Sequence, residues 1–299
     1  MEHRGLPNPR ASVSFQSLRD RLDAFGFRPR RRLGQNFLID PNLVRAIADS
    51  LPLTRDSTVL EIGPGAGALT FELAKRAGVV VACEIDTRLV DFLTEALRDQ
   101  PEGDRVRLVA ADALGDGGLS EPCLTALAAA DAFSRGWVCA SNLPYSVAGP
   151  LLAALATAEV PPTEAVFLAQ LEMAQRIVAA PGTREYGTLS VLLSLAWSPT
   201  LLRRIPRDVF RPRPRVESAL VRLGSPGPLA TRPATERRAF AAFLQALFGG
   251  RRKVLRNALA RTWQTPPDAA FEAAALPVQW LTQRPSELAP EELWRVFNA

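Results

Sequence analysis

The 299-residue chain predicts an α/β fold with a smaller all-α region behind it. Three observations carry that expectation. Short apolar, strand-like runs alternate with helical stretches from Ser57 to Leu223. The first of these runs passes directly into a glycine turn and then a helix. Beyond a linker containing Pro226, Gly227, Pro228 and Pro233, the pattern is helical throughout. The expected division is a basic N-terminal extension (1–33), an α/β domain (34–223) and a helical domain (224–299). Hydrophobic residues make up 47% and charged residues 22%, a balance that suits a folded chain with a substantial core. No apolar run approaches the roughly 20 residues of a membrane span. Met1-Glu2-His3-Arg4 lacks the apolar region of a secretory signal.

Residues 1–35 carry eight Arg against three acids. A short helix is expected between Phe15 and Phe27. The basic run Arg28 to Arg32 reads either as a solubilising tail or as a phosphate-binding arm, and we favour the arm. Gly34-Gln-Asn-Phe-Leu38 follows, a loop with two amides and an aromatic that suits ligand contact. Asp40 then caps a helix through Leu43, Val44, Ile47 and Leu51, with Pro41 at its first position.

Ser57 to Ile62 is the first core strand. It enters Gly63-Pro-Gly-Ala-Gly67, where glycine permits unusual backbone angles and close approach to a ligand. This strand, turn and helix form the first unit of a Rossmann-like fold. Val79 to Cys83 is the second strand and ends at Glu84, 21 residues after Gly63. An acid there can accept hydrogen bonds from a ribose diol. The constellation implies a nucleoside-bearing cofactor, but Gly63-x-Gly65-x-x-Ala68 also fits a dinucleotide, so NAD stays open here. Arg107 to Ala110 is the third strand; Asp112 beyond it suits an adenine amino group or an ordinary helix cap.

Trp137 to Ala140 is the fourth strand and ends in Ser141-Asn-Leu-Pro-Tyr145. Asn142 offers a neutral acceptor. Pro144 biases Leu143 towards an extended conformation, so that the Leu143 carbonyl can point outward unpaired. Tyr145 supplies a ring face. The bland alternative is a strand-ending turn. A helix (151–158), a fifth strand (Glu164 to Leu168) and a helix containing Met173 and Ile177 follow. Leu189 to Trp197 is expected as a further core strand, and Ala219 to Leu223 as the strand closing the sheet. Between them Phe210-Arg-Pro-Arg-Pro-Arg215 cannot be helical and reads as an aromatic, cationic lip beside the site.

Helices are expected from Ala239 to Phe248, from Arg251 to Leu259, around Phe271 to Leu276, and from Pro290 to Phe297. In the second of these, Arg252 and Arg256 would share an exposed face. Residues 200–261 contain 15 basic and three acidic side chains, a local net of +12 in a chain whose total is +5. Such an excess fits a polyanionic partner. Cys83, Cys123 and Cys139 form no C-x-x-C pair, so neither a metal site nor a disulfide scaffold is expected, and a reducing cytoplasm fits. The single histidine, His3, lies in the extension, which argues against histidine general-base catalysis.

Together these motifs resemble the KsgA-type family of small-subunit (16S) rRNA adenine N6,N6-dimethyltransferases. The resemblance runs from Gly34 to about Leu293. It rests on Gly34-Gln-Asn-Phe-Leu38, Glu61-Ile-Gly-Pro-Gly-Ala-Gly67, Glu84, Asp112 and Asn142-Leu-Pro-Tyr145. It also includes Tyr186-Gly187, Phe210-x-Pro-x-Pro-x-Val216-x-Ser218, Arg251-Arg-Lys253 and Arg256-Asn257. The resemblance implies a Rossmann-like class I methyltransferase sheet with helices on both faces and a small C-terminal all-α domain. S-adenosylmethionine is the implied cofactor, with Asn36, Leu38, Gly63, Gly65, Glu84, Asp112 and Asn142 as its contacts. Asn142, Leu143, Pro144, Tyr145 and Phe210 would form the acceptor site, with Tyr145 and Phe210 sandwiching the target base. Arg211, Arg213, Arg215, Arg251, Arg252, Lys253 and Arg256 would hold RNA. The implied partner is the small ribosomal subunit, met in the cytoplasm by a monomer without metal or membrane attachment. A 23S rRNA or DNA adenine methyltransferase, an NAD-dependent oxidoreductase and a non-catalytic ribosome-assembly factor are the alternatives. The 23S rRNA methylases share the Gly-Gln-Asn-Phe-Leu and Asn-x-Pro-Tyr features, whereas Leu143 and the Arg251–Asn257 block favour the small-subunit family.

Overall fold

The central strands are buried on both faces, so a sheet lies between two helical layers in the computed structural model. The structure describes residues 20, 22, 25–27, 30, 34–98, 100–145, 147–267 and 276–299. The short helix expected before Phe27, most of the Arg28–Arg32 arm and the helix expected near Phe271 lie outside the described residues.

In chain order come β1 (Phe37–Leu38), α1 (Pro41–Asp49), β2 (Thr58–Ile62), α2 (Ala68–Ala74), β3 (Val79–Glu84), α3 (Thr87–Arg98) and β4 (Val106–Ala110). A hairpin of β5 (Leu114–Gly115) and β6 (Gly118–Leu119) leads into α4 (Glu121–Ala129) and α5 (Ala132–Arg135). Then follow β7 (Val138–Asn142), α6 (Ala148–Thr157), β8 (Glu164–Gln170), α7 (Leu171–Ile177) and α8 (Thr188–Ala196). β9 (Trp197–Ile205), β10 (Phe210–Arg211) and β11 (Ser218–Pro226) precede the C-terminal helices α9 (Ala234–Phe248), α10 (Leu255–Trp263) and α11 (Pro290–Phe297). Asp40 caps α1 as expected, its carboxylate accepting the N–H groups of Asn42 and Leu43.

Seven strands form the main sheet in the order β4-β3-β2-β7-β8-β11-β9. β4 to β8 run parallel, while β11 is antiparallel to both of its neighbours. The order reverses between β2 and β7, so the carboxyl ends of these strands frame a crevice, where ligands of open α/β sheets collect. Val80 and Ala82 pack with Ile47 and Leu73 on one face, whereas Val81 and Cys83 pack with Cys123 and Leu127 on the other.

Two expected elements are corrected. Residues 189–196 are helical, not a strand. A continuous apolar run satisfies either structure, and here Ser190 favours the helix. Its Oγ accepts the Gly187 N–H at 3.1 Å and donates to the Arg176 carbonyl. The strand begins at Trp197, where one was expected to end. The resulting β9 forms the sheet edge, and β11, expected to close the sheet, lies inside it. The second correction concerns Arg252 and Arg256. Gly249 and Gly250 end α9, and residues 251–253 form a turn fixed by Lys253 N–H donating to the Gly250 carbonyl at 2.7 Å. Helix α10 therefore starts only at Leu255, and Arg252 shares no helical face with Arg256.

The C-terminal helices share a core with the sheet's helices: Phe240 and Leu244 belong to the same buried cluster as Leu192, Leu195 and Leu155. Arg237 on α9 is buried to 2% exposure and donates to the carbonyls of Ala158, Glu159, Ala230 and Arg232. This guanidinium bolts α9 to the end of α6. Among the described residues, no helix is long and apolar enough to cross a membrane.

Candidate active site

The crevice at the β2/β7 reversal opens into a cavity of about 260 Å³. Its walls come from the Gly34–Leu38 loop, the glycine turn, the ends of β3 and β4, and the turn after β7. Asn36, Leu38, Gly63, Gly65, Glu84, Asp112 and Asn142, expected from widely separated motifs, all line it, as do Leu143, Pro144 and Tyr145.

Two glycines shape the floor. Gly63 and Gly65 have φ of +68° and +59°, a region that side chains rarely enter. A Cβ at Gly65 would lie 3.0 Å from the Phe37 ring, and one at Gly63 would lie 3.3 Å from Pro144 Cγ. The glycine turn thus lets the amide loop and the Pro144 turn close around one space. Glu84 closes the end of β3. Its Oε2 accepts the Gly65 N–H at 3.1 Å and its Oε1 accepts the Asp86 N–H at 2.9 Å. Burial raises its carboxyl above the ordinary range against the pull of these bonds. Each carboxylate oxygen can accept more than one bond, so Glu84 retains capacity for a ligand. Asp112 is exposed at the cavity mouth, with one oxygen accepting Leu114 N–H at 3.0 Å.

Glu61 was not among the expected contacts. It is 1% exposed, lines the cavity, and has a buried Oε2 that finds no hydrogen-bond partner among the described residues. Burial pushes its carboxyl up to about 8; Thr70 opposes this and the nearby Glu84 adds to it. Thr70 is close enough to exert that pull, yet its Oγ1 does not reach hydrogen-bond geometry with any partner. The sequence signal for Glu61 was a charged residue inside an otherwise apolar strand, two residues before Gly63.

The acceptor turn is held at three points. Asn142 Nδ2 donates to the Asn36 carbonyl at 2.8 Å, and among the described residues no donor reaches its Oδ1. Leu143 N–H donates to the Leu168 carbonyl at 3.2 Å, while among the described residues no backbone N–H donates to the Leu143 carbonyl. Tyr145 Oη lies 2.7 Å from Ser218 Oγ, and burial raises its phenol. The Leu143 carbonyl, expected to point outward ahead of Pro144, belongs to a residue that lines the cavity. Leu143 enters with its backbone, since its side chain is buried in the core.

Phe210 requires a correction. It is fully buried, packs with Leu38, Ile205 and Leu220, and does not line the cavity. Its strand β10 pairs with β1, placing Leu38 opposite Phe210 and Phe37 opposite Arg211. That pairing turns the Phe210 ring inward, so in this arrangement it cannot form the second face of a base sandwich. The same pairing joins the amide loop to the arginine lip.

Arg211 on β10 and Arg213 and Arg215 beyond it are exposed. Arg251, Arg252 and Lys253 are exposed in the turn before α10, and Arg256 is half-buried. The two groups do not meet in one cavity. Arg251 borders a larger cleft beside α6, α7 and α9, together with Arg176, Arg184 and Arg238. That cleft reaches Val216 and Glu217, next to Arg215, and shares Leu114 with the first cavity.

A parallel sheet that ends with an antiparallel strand inserted beside its edge, and a glycine turn facing an acidic strand end, define a class I methyltransferase. Residues 26–275 match the model for ribosomal RNA adenine dimethylase, and the chain belongs to that family. It is 40% identical over 258 residues to the ribosomal RNA small subunit methyltransferase A of Pelotomaculum thermopropionicum, covering 85% of each chain. It is likewise 40% identical over 239 residues to that of Moorella thermoacetica, covering 78% of this chain and 80% of the relative. A dimethyladenosine transferase from Plasmodium falciparum superposes with a TM-score of 0.68 at 21% identity, covering 87% of this chain and 95% of that one. The 23S rRNA methyltransferase ErmE superposes with a TM-score of 0.59 at 25% identity, covering 88% and 98%. The hydride-transfer alternative left open by the glycine turn is thereby set aside.

Proposed function

We propose that the protein uses S-adenosylmethionine to dimethylate N6 of two adjacent adenosines near the 3′ end of small-subunit rRNA. One observation carries the acceptor half of this reading: Asn142 is anchored through its Nδ2, which leaves its Oδ1 without a donor among the described residues, on the residue next to Leu143 in the cavity lining.

The lining fits the cofactor through the orphaned Oε2 of Glu61, a buried acceptor for which a ligand ammonium would supply the missing partner. Glu84 would take the ribose hydroxyls and Asp112 the adenine amino group, with Asn36, Leu38, Gly63 and Gly65 closing around them. When bound, S-adenosylmethionine supplies an electrophilic methyl on a sulfonium.

The residues of the acceptor turn then account for the rest. An adenine N6 lone pair is delocalised into the ring, which makes it a poor nucleophile. Asn142 Oδ1 and the Leu143 carbonyl accept hydrogen bonds from the N6–H groups, two for the first transfer and one for the second, and favour a tetrahedral nitrogen whose lone pair is exposed. Tyr145 offers a stacking face to a base drawn out of its helix. Placement supplies much of the rate, which is consistent with the absence of an acid–base pair at the turn. The N6 proton is released through these acceptors to water.

The exposed arginines beyond β10 and before α10 would bind RNA phosphates, with residues 224–299 as the RNA-facing helical domain. The small ribosomal subunit is the proposed partner, met in the cytoplasm by a monomer. Calorimetry tests the cofactor half: binding of S-adenosylmethionine and not NAD is expected, and binding of NAD alone would overturn it.

A further inference from the structure

In the sequence, Ser218 is the last residue of the Phe210-to-Ser218 motif and has no role of its own. In the structure it opens β11 and is fully buried. Its backbone is set from both sides, opposite Gln170 on β8 and opposite Ile205 on β9. The Oγ is therefore a fixed point at the start of a strand that is hydrogen-bonded on both sides. Its hydrogen bond goes to Tyr145 Oη at 2.7 Å, across 73 residues of sequence.

Tyr145 needs such a fixed point. The turn is pinned at Asn142, at the Leu143 N–H and by Val147 N–H donating to the Pro144 carbonyl at 3.2 Å, but none of these bonds reaches the Tyr145 side chain. Among the described residues, the bond to Ser218 is the one hydrogen bond that reaches the Tyr145 ring. Phe210 is withdrawn into the core, so Tyr145 is the ring that the acceptor turn presents to the cavity. A half-buried phenol at a cavity rim can be hydrated and does not require a protein partner for stability. A buried serine on a three-strand register fixes its direction instead.

We propose that Ser218 is a positioning residue for the methyl-acceptor base, holding the Tyr145 ring at the angle at which the extruded adenine stacks. This rests on the reading of Tyr145 as the stacking face. Ser218 touches neither cofactor nor base and acts through Tyr145 alone. An unanchored ring samples several rotamers, so fewer encounters place N6 against Asn142 and the Leu143 carbonyl.

The test compares Ser218→Ala, Tyr145→Phe, their combination and Tyr145→Ala, using immature small subunits and S-adenosylmethionine. Ser218→Ala is expected to lower kcat about three- to tenfold, the range of one lost hydrogen bond, with KM for S-adenosylmethionine unchanged. Tyr145→Phe removes the same bond from the other side, so it should match that loss even where Ser218→Ala folds poorly. The double variant should be no worse than either single one. Tyr145→Ala should fall further because the ring itself is gone. Wild-type kcat in both Ser218→Ala and Tyr145→Phe, or multiplying losses in the double variant, would overturn the Ser218 role. If Tyr145→Ala keeps full turnover, the stacking reading fails and the Ser218 role with it. Impairment of Tyr145→Ala alone removes only Ser218.

Discussion

Asn142 donates through its Nδ2 to the backbone carbonyl of Asn36 at 2.8 Å, joining residues 106 apart in sequence. The bond links the amide loop of the cofactor side to the turn that receives the acceptor. It also fixes which end of the Asn142 amide faces outward. Asn142→Ala should therefore cut methyl transfer by at least about 100-fold while RNA affinity stays within a few-fold. Asn142→Asp should be no better, because a carboxylate cannot donate to the Asn36 carbonyl. Turnover assays alongside RNA binding check both, and full turnover in either variant would remove Asn142 from the mechanism.

Glu84 already accepts two backbone N–H groups and still faces the cavity. Its replacement should weaken cofactor binding more than it disturbs the fold. Glu84→Ala is expected to reduce affinity for S-adenosylmethionine about 10- to 100-fold, the range of a lost charge-assisted bond. Titration calorimetry reads this directly, and an unchanged Kd would contradict it.

Glu61 makes stability depend on pH. Its folded carboxyl stands at about 8 against an ordinary 4.5. Between those values the folded state binds more protons than the unfolded state. Cofactor-free stability should therefore fall as pH rises from about 4.5 to 8 and level off above. Glu61→Gln removes that dependence, so the variant should gain on the parent across this window by a few kcal/mol at most, about 1.4 per pKa unit. Denaturant titrations at pH 5, 6.5 and 8 test it; parallel curves for the two proteins would refute it.

Arg237 has few substitutes, because four backbone carbonyls converge on one buried guanidinium. Arg237→Met keeps the aliphatic stem but strands those acceptors. A loss of roughly 3 kcal/mol is expected, seen as a lower unfolding midpoint with unchanged denaturant slope. A shift below about 0.5 kcal/mol would show these hydrogen bonds to be incidental.

Arg251, Arg252 and Lys253 stand exposed in one turn. Replacing all three with Gln should weaken RNA binding at low salt. It should also flatten the plot of log affinity against log salt, by nearly one unit for each phosphate that is no longer neutralised. An unchanged slope would place the RNA elsewhere.

The strand–turn–helix unit at Gly63, the acid at Glu84 and the cap at Asp40 were legible in the sequence because each is local chemistry with a fixed spacing. So was the acceptor turn, where Pro144 constrains Leu143 whatever surrounds it. Residues 189–196 are ambiguous in sequence because an unbroken apolar run lacks the period that separates strand from helix. β9 was hidden by Pro199 and by Arg203 and Arg204, residues that an edge strand tolerates. Phe210 belongs to the site by motif, but its orientation depends on pairing with β1, which joins distant segments. Glu61 and Ser218 were visible as members of motifs, without roles of their own. Their meaning comes from burial and from partners that no local window contains.

The most direct test of the account is the identity of the methylated nucleotides. Immature small subunits incubated with the protein and S-adenosylmethionine can be digested and their modified adenosines mapped by mass spectrometry. N6,N6-dimethyladenosine is expected at two adjacent positions near the 3′ end of the small-subunit rRNA. Methylation confined to 23S rRNA, or methylated adenosines lying elsewhere in the small subunit, would contradict it.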